Sequence, residues 1–230
     1  MPRPIRTVLF DLDGTLLDSV RLILDSYHHT LATHGIPART DDYWLAGLGT
    51  PLRVQFADWT DEPDLLQAMI ATYRDFNITH HDARVRAYPG TVELVREIRR
   101  RRLLTGLVTS KQRPGADRGL RFLGLTDAID VIVAADDVEN PKPHPEPVLR
   151  ALDQLGSEPG EAIYAGDSIH DMECGRAAGA RTAAVLWGPF DRPHLEPTSP
   201  DYWLPRPDAL LEILDASRNG HGEGGRAAIE

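Results

Sequence analysis

The sequence predicts an α/β protein whose doubly wound parallel sheet is interrupted, near its amino terminus, by an all-helical insertion. After Tyr88, apolar strand segments alternate with helical segments, and this alternation is typical of a parallel sheet. Between Asp18 and about Arg84, apolar residues recur only at helical spacing. One apolar strand precedes this helical block, so we expect the chain to return to the same sheet after it.

The amino-terminal part contains the first strand and the insertion. Residues 7–10 (TVLF) form the strand, and a helix with apolar residues from Val20 to Leu31 follows and ends before Gly35. Further helices begin near residue 40 and at residues 62–64, on either side of an interruption at residues 47–56. The insertion is therefore expected to be entirely helical.

The remainder of the chain supplies the rest of the sheet and its flanking helices. Further strands are predicted at residues 103–110, 130–134, 162–167, 182–187 and 202–204. Helices are predicted at residues 91–102, in a segment that reaches Leu123, at residues 145–155, in a segment that closes at Gly179, and at residues 208–216. The predicted domains are a core of residues 1–17 and 86–216, a helical insertion of residues 18–85 and a glycine-rich, disordered tail of residues 217–230.

Composition and charge limit the kinds of partner. The chain has 230 residues and a formal net charge of −10, so its summed field repels nucleic acid and anionic membrane surfaces. Cys174 is its single cysteine, which excludes an intrachain disulfide and favours a reducing compartment. The sequence shows neither an amino-terminal signal segment nor an apolar run of membrane-spanning length. We therefore expect a cytoplasmic monomer or homodimer whose partner is a small molecule.

The stretch DLDGT, directly after the first strand, carries the first functional signal. It places Asp11 at the carboxyl end of a strand, where open α/β sheets bind ligands, and Asp13 two residues further on. Gly14 permits an immediate turn, so both carboxylates can approach one ligand. A simple Asx turn is the alternative; a calcium loop would require oxygen ligands where Leu16 and Leu17 stand. Paired carboxylates at this point favour phosphoryl transfer.

Two later stretches offer groups that bind phosphate. Thr109 and Ser110 end a predicted strand with hydroxyls and turn amides that can donate to a phosphate oxygen, although such a pair is usually only a turn. Lys142 lies between prolines in the stretch NPKPHPEP, which stiffen its loop. A lone lysine is usually a solvated surface charge, but one held in this way favours compensation of phosphate and carboxylate charge.

The stretch GDSIHD adds two more carboxylates. Asp167 directly follows a predicted strand, and Asp171 lies four residues on, one turn into the next helix. Either residue alone could be a helix cap, but capping does not explain acidic residues at two separate strand ends. With Asp11, they form a set of hard oxygen ligands suited to Mg²⁺.

In order and spacing, these stretches resemble the four motifs of the haloacid dehalogenase-like (HAD) superfamily of phosphohydrolases, and the resemblance covers essentially the whole core. It implies a Rossmann-like core in which Asp11 is the nucleophile that forms an aspartyl phosphate. Asp13 would protonate the leaving group and then activate the hydrolytic water. Dehalogenase members lack this second aspartate, so phosphoryl chemistry is favoured over carbon–halogen chemistry.

The resemblance also implies a ligand set. Mg²⁺ would be held by Asp11, the backbone carbonyl of Asp13 and Asp167, with Ser168 or Asp171 in support. The transferring phosphoryl group would be bound by Thr109, Ser110 and Lys142. The expected cofactor is therefore Mg²⁺, and the expected partner is pyrophosphate or a small phosphorylated compound.

The helical insertion resembles the C1 cap of the phosphoglycolate phosphatase and β-phosphoglucomutase branch, which closes over the site and supplies substrate contacts. Residues 73–82 (YRDFNITHHD) and 136–163 further resemble the PpaX-type pyrophosphatases, a subgroup of that branch. Because caps choose substrates whereas cores perform chemistry, the match within the insertion implies hydrolysis of inorganic pyrophosphate.

Several residues are candidates for contacts that choose the substrate. Arg53, Lys111 and Arg113 could bind the charge of a second phosphate, and ordinary surface cations are an equally good interpretation.

Four further positions have open roles. His80 and His81 could approach the site from the insertion, although paired histidines on a surface are usually incidental. Ser110 stands where many family members have asparagine, and His144 stands where an acidic residue is more usual.

Three functions remain open. The chain could hydrolyse inorganic pyrophosphate, or a small phosphomonoester such as phosphoglycolate. The third possibility is another class: a β-phosphoglucomutase-like isomerase or a catalytically silent binding protein. A silent protein should have lost Asp11 or Asp13. Mutases of this branch usually carry a serine-arginine pair in the cap loop, whereas residues 47–53 read GLGTPLR, which disfavours isomerisation.

Overall fold

A computed structural model describes residues 3–219 and contains eight strands. These are β1 (Thr7–Phe10), β2 (Leu17–Asp18), β3 (Arg86–Ala87), β4 (Leu104–Val108), β5 (Val131–Val133), β6 (Ala162–Gly166), β7 (Arg181–Val185) and β8 (Tyr202–Leu204). Six of them form one sheet in the order β5-β4-β1-β6-β7-β8, with every neighbouring pair parallel. The sheet winds outward from β1 in both directions, which confirms the predicted fold class.

Ten α-helices accompany the strands within the described residues. They are α1 (Val20–Thr33), α2 (Asp41–Ala46), α3 (Leu52–Phe56), α4 (Pro63–Arg84), α5 (Thr91–Arg100), α6 (Arg113–Leu123), α7 (Glu146–Leu155), α8 (Ile169–Ala177), α9 (Arg192–Leu195) and α10 (Ala209–Asn219). Helices α5, α6 and α10 pack on one face of the sheet, and α7 and α8 pack on the other. Strand alternation sets these faces: Val8 and Phe10 join the first apolar cluster and Leu9 the second.

The helical insertion, residues 18–85, has an apolar core of its own. Its helices α1 to α4 bury a cluster rich in aromatic side chains. Tyr27 and Trp44 stack there with ring centroids 4.1 Å apart, and Phe56 and Tyr73 contact Tyr27. This cluster is separate from the two that flank the sheet. The division of the chain into domains at the two ends of the insertion stays a prediction.

The two ends of the insertion are joined by a short strand pair that the sequence did not predict. β2 and β3 run antiparallel, with Leu17 opposite Ala87 and Asp18 opposite Arg86. The Tyr88 N–H adds a hydrogen bond to the Leu16 carbonyl at 3.2 Å. Strands of two residues are too short to show alternation, so no periodic signal could have revealed them.

The carboxy-terminal helix is longer than predicted. Leu210 and Leu214 of α10 are buried against the sheet, and the helix continues beyond them to Asn219. Residues 217–219, which the sequence analysis placed in a disordered tail, are therefore helical; the rest of that tail, residues 220–230, lies outside the described residues. Across residues 3–219, no helix combines the length and the apolar character required to cross a bilayer.

Candidate active site

Three neighbouring strands end in residues that the sequence singled out. Asp11 follows β1, Thr109 follows β4 and Asp167 follows β6, and all three side chains are buried. Strand pairing continues up to these positions: the Asp11 N–H donates to the Ala165 carbonyl at 3.0 Å, and the Thr109 N–H donates to the Val133 carbonyl at 3.0 Å. Because parallel strands end at the same edge of a sheet, the three side chains converge there.

Lys142 reaches this edge from the loop between β5 and α7. Its ammonium group donates to Asp171 Oδ1 at 2.6 Å, to Asp11 Oδ1 at 3.0 Å and to the Tyr164 hydroxyl at 3.2 Å. Burial alone would lower the pKa of Lys142, but the charges of Asp11 and Asp171 raise it above its usual value. The loop thus delivers a permanent positive charge to the site.

Asp171 is the main anchor of Lys142. Its Oδ1 accepts from Lys142 and from the Tyr164 hydroxyl at 2.8 Å, and its Oδ2 accepts from the Ser168 N–H at 3.0 Å and the Ser168 hydroxyl at 2.7 Å. Burial acts to raise the pKa of Asp171, but the charge of Lys142 and these hydrogen bonds lower it. With four donors on its two oxygens, Asp171 is placed to position Lys142.

Asp11, Asp167 and Asp171 form what we call the carboxylate cluster. One oxygen from each lies within 4.8 Å of the others. Burial, only partly offset by Lys142, raises the pKa of Asp11 to about 7, and burial with the nearby charges of Asp171 and Asp11 raises the pKa of Asp167 well above its usual value. Buried carboxyl groups this close together can all be charged only beside a cation. The cluster therefore fits a hard divalent metal, with Asp11 and Asp167 as the better ligands because the oxygens of Asp171 are already engaged.

Asp167 is held in a close-fitting cradle. The Thr15 hydroxyl donates to Asp167 Oδ1 at 2.8 Å. Gly14 has a φ of +87°, and a Cβ added there would lie 2.4 Å from Asp167 Oδ2. A Cβ at Gly188 would lie 2.7 Å from Asp167 Cβ. Both positions require glycine, because any larger residue would displace the carboxylate.

Asp13 has a different set of partners. The Lys111 ammonium donates to both of its carboxylate oxygens at 2.8 Å, and the Ser19 hydroxyl also donates to it. Burial acts to raise the pKa of Asp13, but the charge and hydrogen bonds of Lys111 lower it. The stem of Lys111 runs over Gly115, where a Cβ would lie 3.0 Å from two of its carbon atoms. Lys111, expected to face a second phosphate or solvent, thus contacts Asp13 directly.

The two hydroxyl candidates for phosphate binding differ in their contacts. The Thr109 hydroxyl accepts from the Lys111 N–H at 3.2 Å. The Ser110 hydroxyl is buried and has no hydrogen-bond partner within residues 3–219. A buried polar group without a hydrogen-bond partner costs about 1–3 kcal/mol. A ligand oxygen bound to the Ser110 hydroxyl would remove this cost.

Two of the specificity candidates, Arg53 and Arg113, and His144, whose role was left open, have other surroundings. Arg53 is exposed on α3. The Arg113 guanidinium donates to the Asp137 carboxylate, which ties the start of α6 to the loop after β5. His144 is exposed, and its Nδ1 accepts from the Glu146 N–H at 3.2 Å at the start of α7. Their role in choosing the substrate stays a prediction.

The paired histidines of the insertion have different surroundings. His80 is partly exposed, and its Nδ1 contacts the Phe76 carbonyl of its own helix at 2.9 Å. His81 is only 2% exposed, and its Nδ1 contacts Asp82 Oδ1 at 2.7 Å. Only the first fits the expectation of a surface residue.

Sequence reasoning missed the groups that support the site. The Tyr164 hydroxyl lies within the apolar strand β6, and Ser19 stands just before α1; no local pattern connects either residue to the site. Thr15 follows Gly14 in the DLDGT stretch, and its hydroxyl donates to Asp167. The contact between Thr15 and Asp167 joins residues 152 positions apart, which a single sequence does not encode in its periodicity.

Comparison with known proteins places this geometry in context. The family model described as "Haloacid dehalogenase-like hydrolase" matches residues 8–185. A Bacillus cereus (strain B4264) protein named Pyrophosphatase PpaX is 43% identical over 210 residues, which cover 91% of this chain and 96% of that protein. The match spans the helical insertion as well as the core.

Solved structures share the fold. One from Bacteroides fragilis, provisionally described as a haloacid dehalogenase-like hydrolase, aligns with a TM-score of 0.83 and 28% identity over 90% of this chain and 99% of that one. Another from Lactobacillus plantarum, provisionally described as a phosphoglycolate phosphatase, aligns with a TM-score of 0.81 and 25% identity over 91% of this chain and 99% of that one.

Proposed function

The chain belongs to the haloacid dehalogenase-like hydrolase family, and from this premise we propose that it is a Mg²⁺-dependent inorganic pyrophosphatase acting through an aspartyl phosphate on Asp11. Its broader class, a phosphatase, follows from the family and its relatives. The observation that carries the pyrophosphatase proposal is the 43% identity to a PpaX pyrophosphatase along 91% of this chain, including the insertion that would contact the substrate. We further propose that the enzyme works in the cytoplasm.

The first half-reaction would phosphorylate Asp11. A carboxylate oxygen of Asp11 attacks the phosphorus atom, and the bond from phosphorus to the bridging oxygen breaks as the new bond forms. Lys142, held 3.0 Å from Asp11 Oδ1, supports this proposal because its fixed charge can stabilise the equatorial phosphoryl oxygens. Thr109 and Ser110 would donate to the same oxygens. Asp13 would give a proton to the departing phosphate, a role that requires its pair with Lys111, which lowers the pKa of Asp13, to be broken when substrate binds.

The second half-reaction would release the bound phosphate. Asp13, having lost its proton, removes one from a water molecule that attacks the phosphorus atom of the aspartyl phosphate, and Asp11 leaves as a carboxylate. The sum is pyrophosphate and water giving two phosphates. Mg²⁺ would be held by Asp11, the Asp13 carbonyl and Asp167, and when bound it would neutralise negative charge on these carboxylates and on the phosphoryl group.

The decisive experiment compares phosphate release from pyrophosphate and from phosphoglycolate, as kcat/KM with Mg²⁺ on one preparation. We expect a preference for pyrophosphate of about a hundredfold or more, equivalent to roughly 2.7 kcal/mol in the transition state. A reversed preference would retain the mechanism but assign the enzyme to phosphoglycolate, a candidate suggested by the Lactobacillus plantarum structure at 25% identity. Isomerisation of a sugar phosphate without net phosphate release would contradict both.

A further inference from the structure

One buried group in the insertion is not used by the proposed mechanism. Within residues 3–219, four buried side-chain polar atoms have no hydrogen-bond partner: Trp44 Nε1, His81 Nε2, Ser110 Oγ and His170 Nδ1. Ser110 belongs to the phosphate-binding stretch already described. His81 stands out among the others because its second ring nitrogen is firmly held while Nε2 is left without a partner.

A chain of contacts from the core fixes the His81 ring. His81 Nδ1 contacts Asp82 Oδ1 at 2.7 Å, and the same oxygen accepts from Arg118 Nε of α6 at 3.0 Å. Arg118 also donates to the Ile78 carbonyl of α4 at 2.7 Å. Hydrogen bonds from Arg118 and His81 lower the pKa of Asp82 to about 2, so Asp82 is a carboxylate and Nδ1 carries the proton that it accepts. Nε2 is thereby assigned as the nitrogen available to a ligand.

The same face of α6 places His81 beside the Asp13 side of the site. Gly115 and Arg118 are three positions apart on α6, and residues with this spacing are neighbours on a helix surface. Gly115 underlies the stem of Lys111, which reaches Asp13, and Arg118 holds the Asp82 and His81 pair. Burial lowers the pKa of His81, its hydrogen bond with Asp82 acts against this, and the charge on Lys111 lowers the pKa further, in keeping with a position for His81 on the Lys111 side of the site.

We propose that His81 is a substrate-contacting residue, supplied by the insertion, whose Nε2 forms a hydrogen bond to the leaving phosphate next to Asp13 and Lys111. The proposal rests on the proposed function, because Asp13 marks the leaving-group side only if it is the residue that protonates the departing oxygen. Phosphate oxygens gain and lose a proton near neutral pH, so the bond to Nε2 can form with the proton on either partner. Asp82 and Arg118 are then positioning residues for the ring.

The test uses side chains whose amide nitrogen can replace only one of the two ring nitrogens of His81. In His81→Asn the amide nitrogen can replace Nδ1 and still donate to Asp82, whereas the reach to the substrate is lost. In His81→Gln the longer amide can place a nitrogen near the position of Nε2. We expect kcat/KM for pyrophosphate to fall about tenfold or more in His81→Asn and to recover substantially in His81→Gln, with little change in melting temperature. His80→Asn is the matched control and should behave as the wild type.

A second measurement separates contact from structural support. If His81 binds the leaving phosphate, phosphorylation of Asp11 in a single turnover should slow in His81→Asn, while hydrolysis of the aspartyl phosphate should keep its rate. An equal loss in both steps, a fall in melting temperature that accounts for the loss, or no loss at all would overturn the assignment. Failure of the proposed function would give a different result. A wild-type protein that prefers a phosphomonoester would refute the pyrophosphatase activity, and the same His81 variants would then be tested on that preferred substrate.

Discussion

The site has two parts that are built differently. The first, which we call the floor, consists of Asp11, Lys142 and Asp171; here Lys142 has three hydrogen-bond partners and Asp171 accepts from four donors. The second, which we call the rim, consists of Asp13, Lys111 and His81; here His81 Nε2 has no partner within residues 3–219. Under the proposed function, the floor is fully hydrogen-bonded before substrate arrives, whereas the rim contains a group that the substrate could complete.

Lys142 of the floor and Lys111 of the rim differ in how firmly each is held. The side chain of Lys142 is 4% exposed and is held from three sides, whereas that of Lys111 is 16% exposed and contacts Asp13 in a two-oxygen pair. The buried ammonium group of Lys142 cannot move, so it can stabilise only negative charge that binds beside it. A charge at the rim can also change partner when a second phosphate enters, because its flexible stem lies over a glycine rather than within a packed core.

The largest expected effect tests the floor as a site of covalent chemistry. Asp11→Asn removes the attacking oxygen but retains the shape of the side chain, and Lys142 keeps its pair with Asp171. We expect turnover to fall by roughly 10⁴-fold or more while the protein stays folded. Steady-state phosphate release and a thermal melt on the same sample provide the measurement. A variant with full activity would rule out Asp11 as the nucleophile.

The next prediction compares the two lysines directly. Lys142→Met leaves two buried carboxylates without their counter-charge, so we expect a loss of about 3–5 kcal/mol in the free energy of unfolding. The transition state also loses a fixed cation, so kcat should fall about 10²–10³-fold. Urea unfolding and steady-state kinetics measure the two losses. The identical substitution Lys111→Met is the control, and equal destabilisation of both variants would remove the distinction between floor and rim.

A smaller effect is expected for the group that orients Asp167. Thr15→Val keeps the volume of the side chain but removes the hydroxyl that donates to Asp167 Oδ1 at 2.8 Å. Outer groups that orient a metal ligand typically contribute tenfold or more to metal affinity, so we expect Mg²⁺ to bind about tenfold more weakly. Calorimetric titration with Mg²⁺ measures this. Unchanged affinity would argue against Asp167 as a ligand.

The substitution Lys111→Met is expected to have the smallest effect on the free energy of unfolding. Its effect on KM should be the most selective between substrates. Because its pair with Asp13 is partly exposed, Lys111→Met should change the free energy of unfolding by about 1 kcal/mol or less. If Lys111 turns to the second phosphate, the variant should raise KM for pyrophosphate about tenfold and raise KM for a simple monoester much less. Equal increases for both substrates would assign Lys111 to Asp13 alone.

The sequence predicted the floor better than the rim, and the reason is geometric. Asp11, Thr109 and Asp167 each end a strand with a clear apolar pattern, and the ends of parallel strands meet without any further assumption. Lys142 was recognisable because prolines flank it. The position of each residue along its own element was therefore enough to bring together these strand-end residues, of which Asp11 belongs to the floor.

The rim depends on contacts between elements, which no local pattern encodes. Lys111 and Asp13 are 98 positions apart, and Arg118 and Asp82 are 36 positions apart. His81 and His80 are neighbours in sequence, yet His81 is buried whereas His80 is partly exposed, a difference that depends on which elements pack around α4. For the same reason, the Tyr164 hydroxyl was not predicted as a partner of Lys142.

The β2 and β3 pair has a consequence for how this fold can be altered. The chain crosses from core to insertion at Leu17 and Asp18 and returns at Arg86 and Ala87, and these residues stand directly opposite one another. Opposed residues in antiparallel strands have their Cα atoms only about 4.5–5.5 Å apart. Under the predicted division of the chain into domains, the two ends of the insertion are therefore adjacent, so that a helical insertion of another size could be exchanged at this junction without altering the spacing of the six strands of the main sheet.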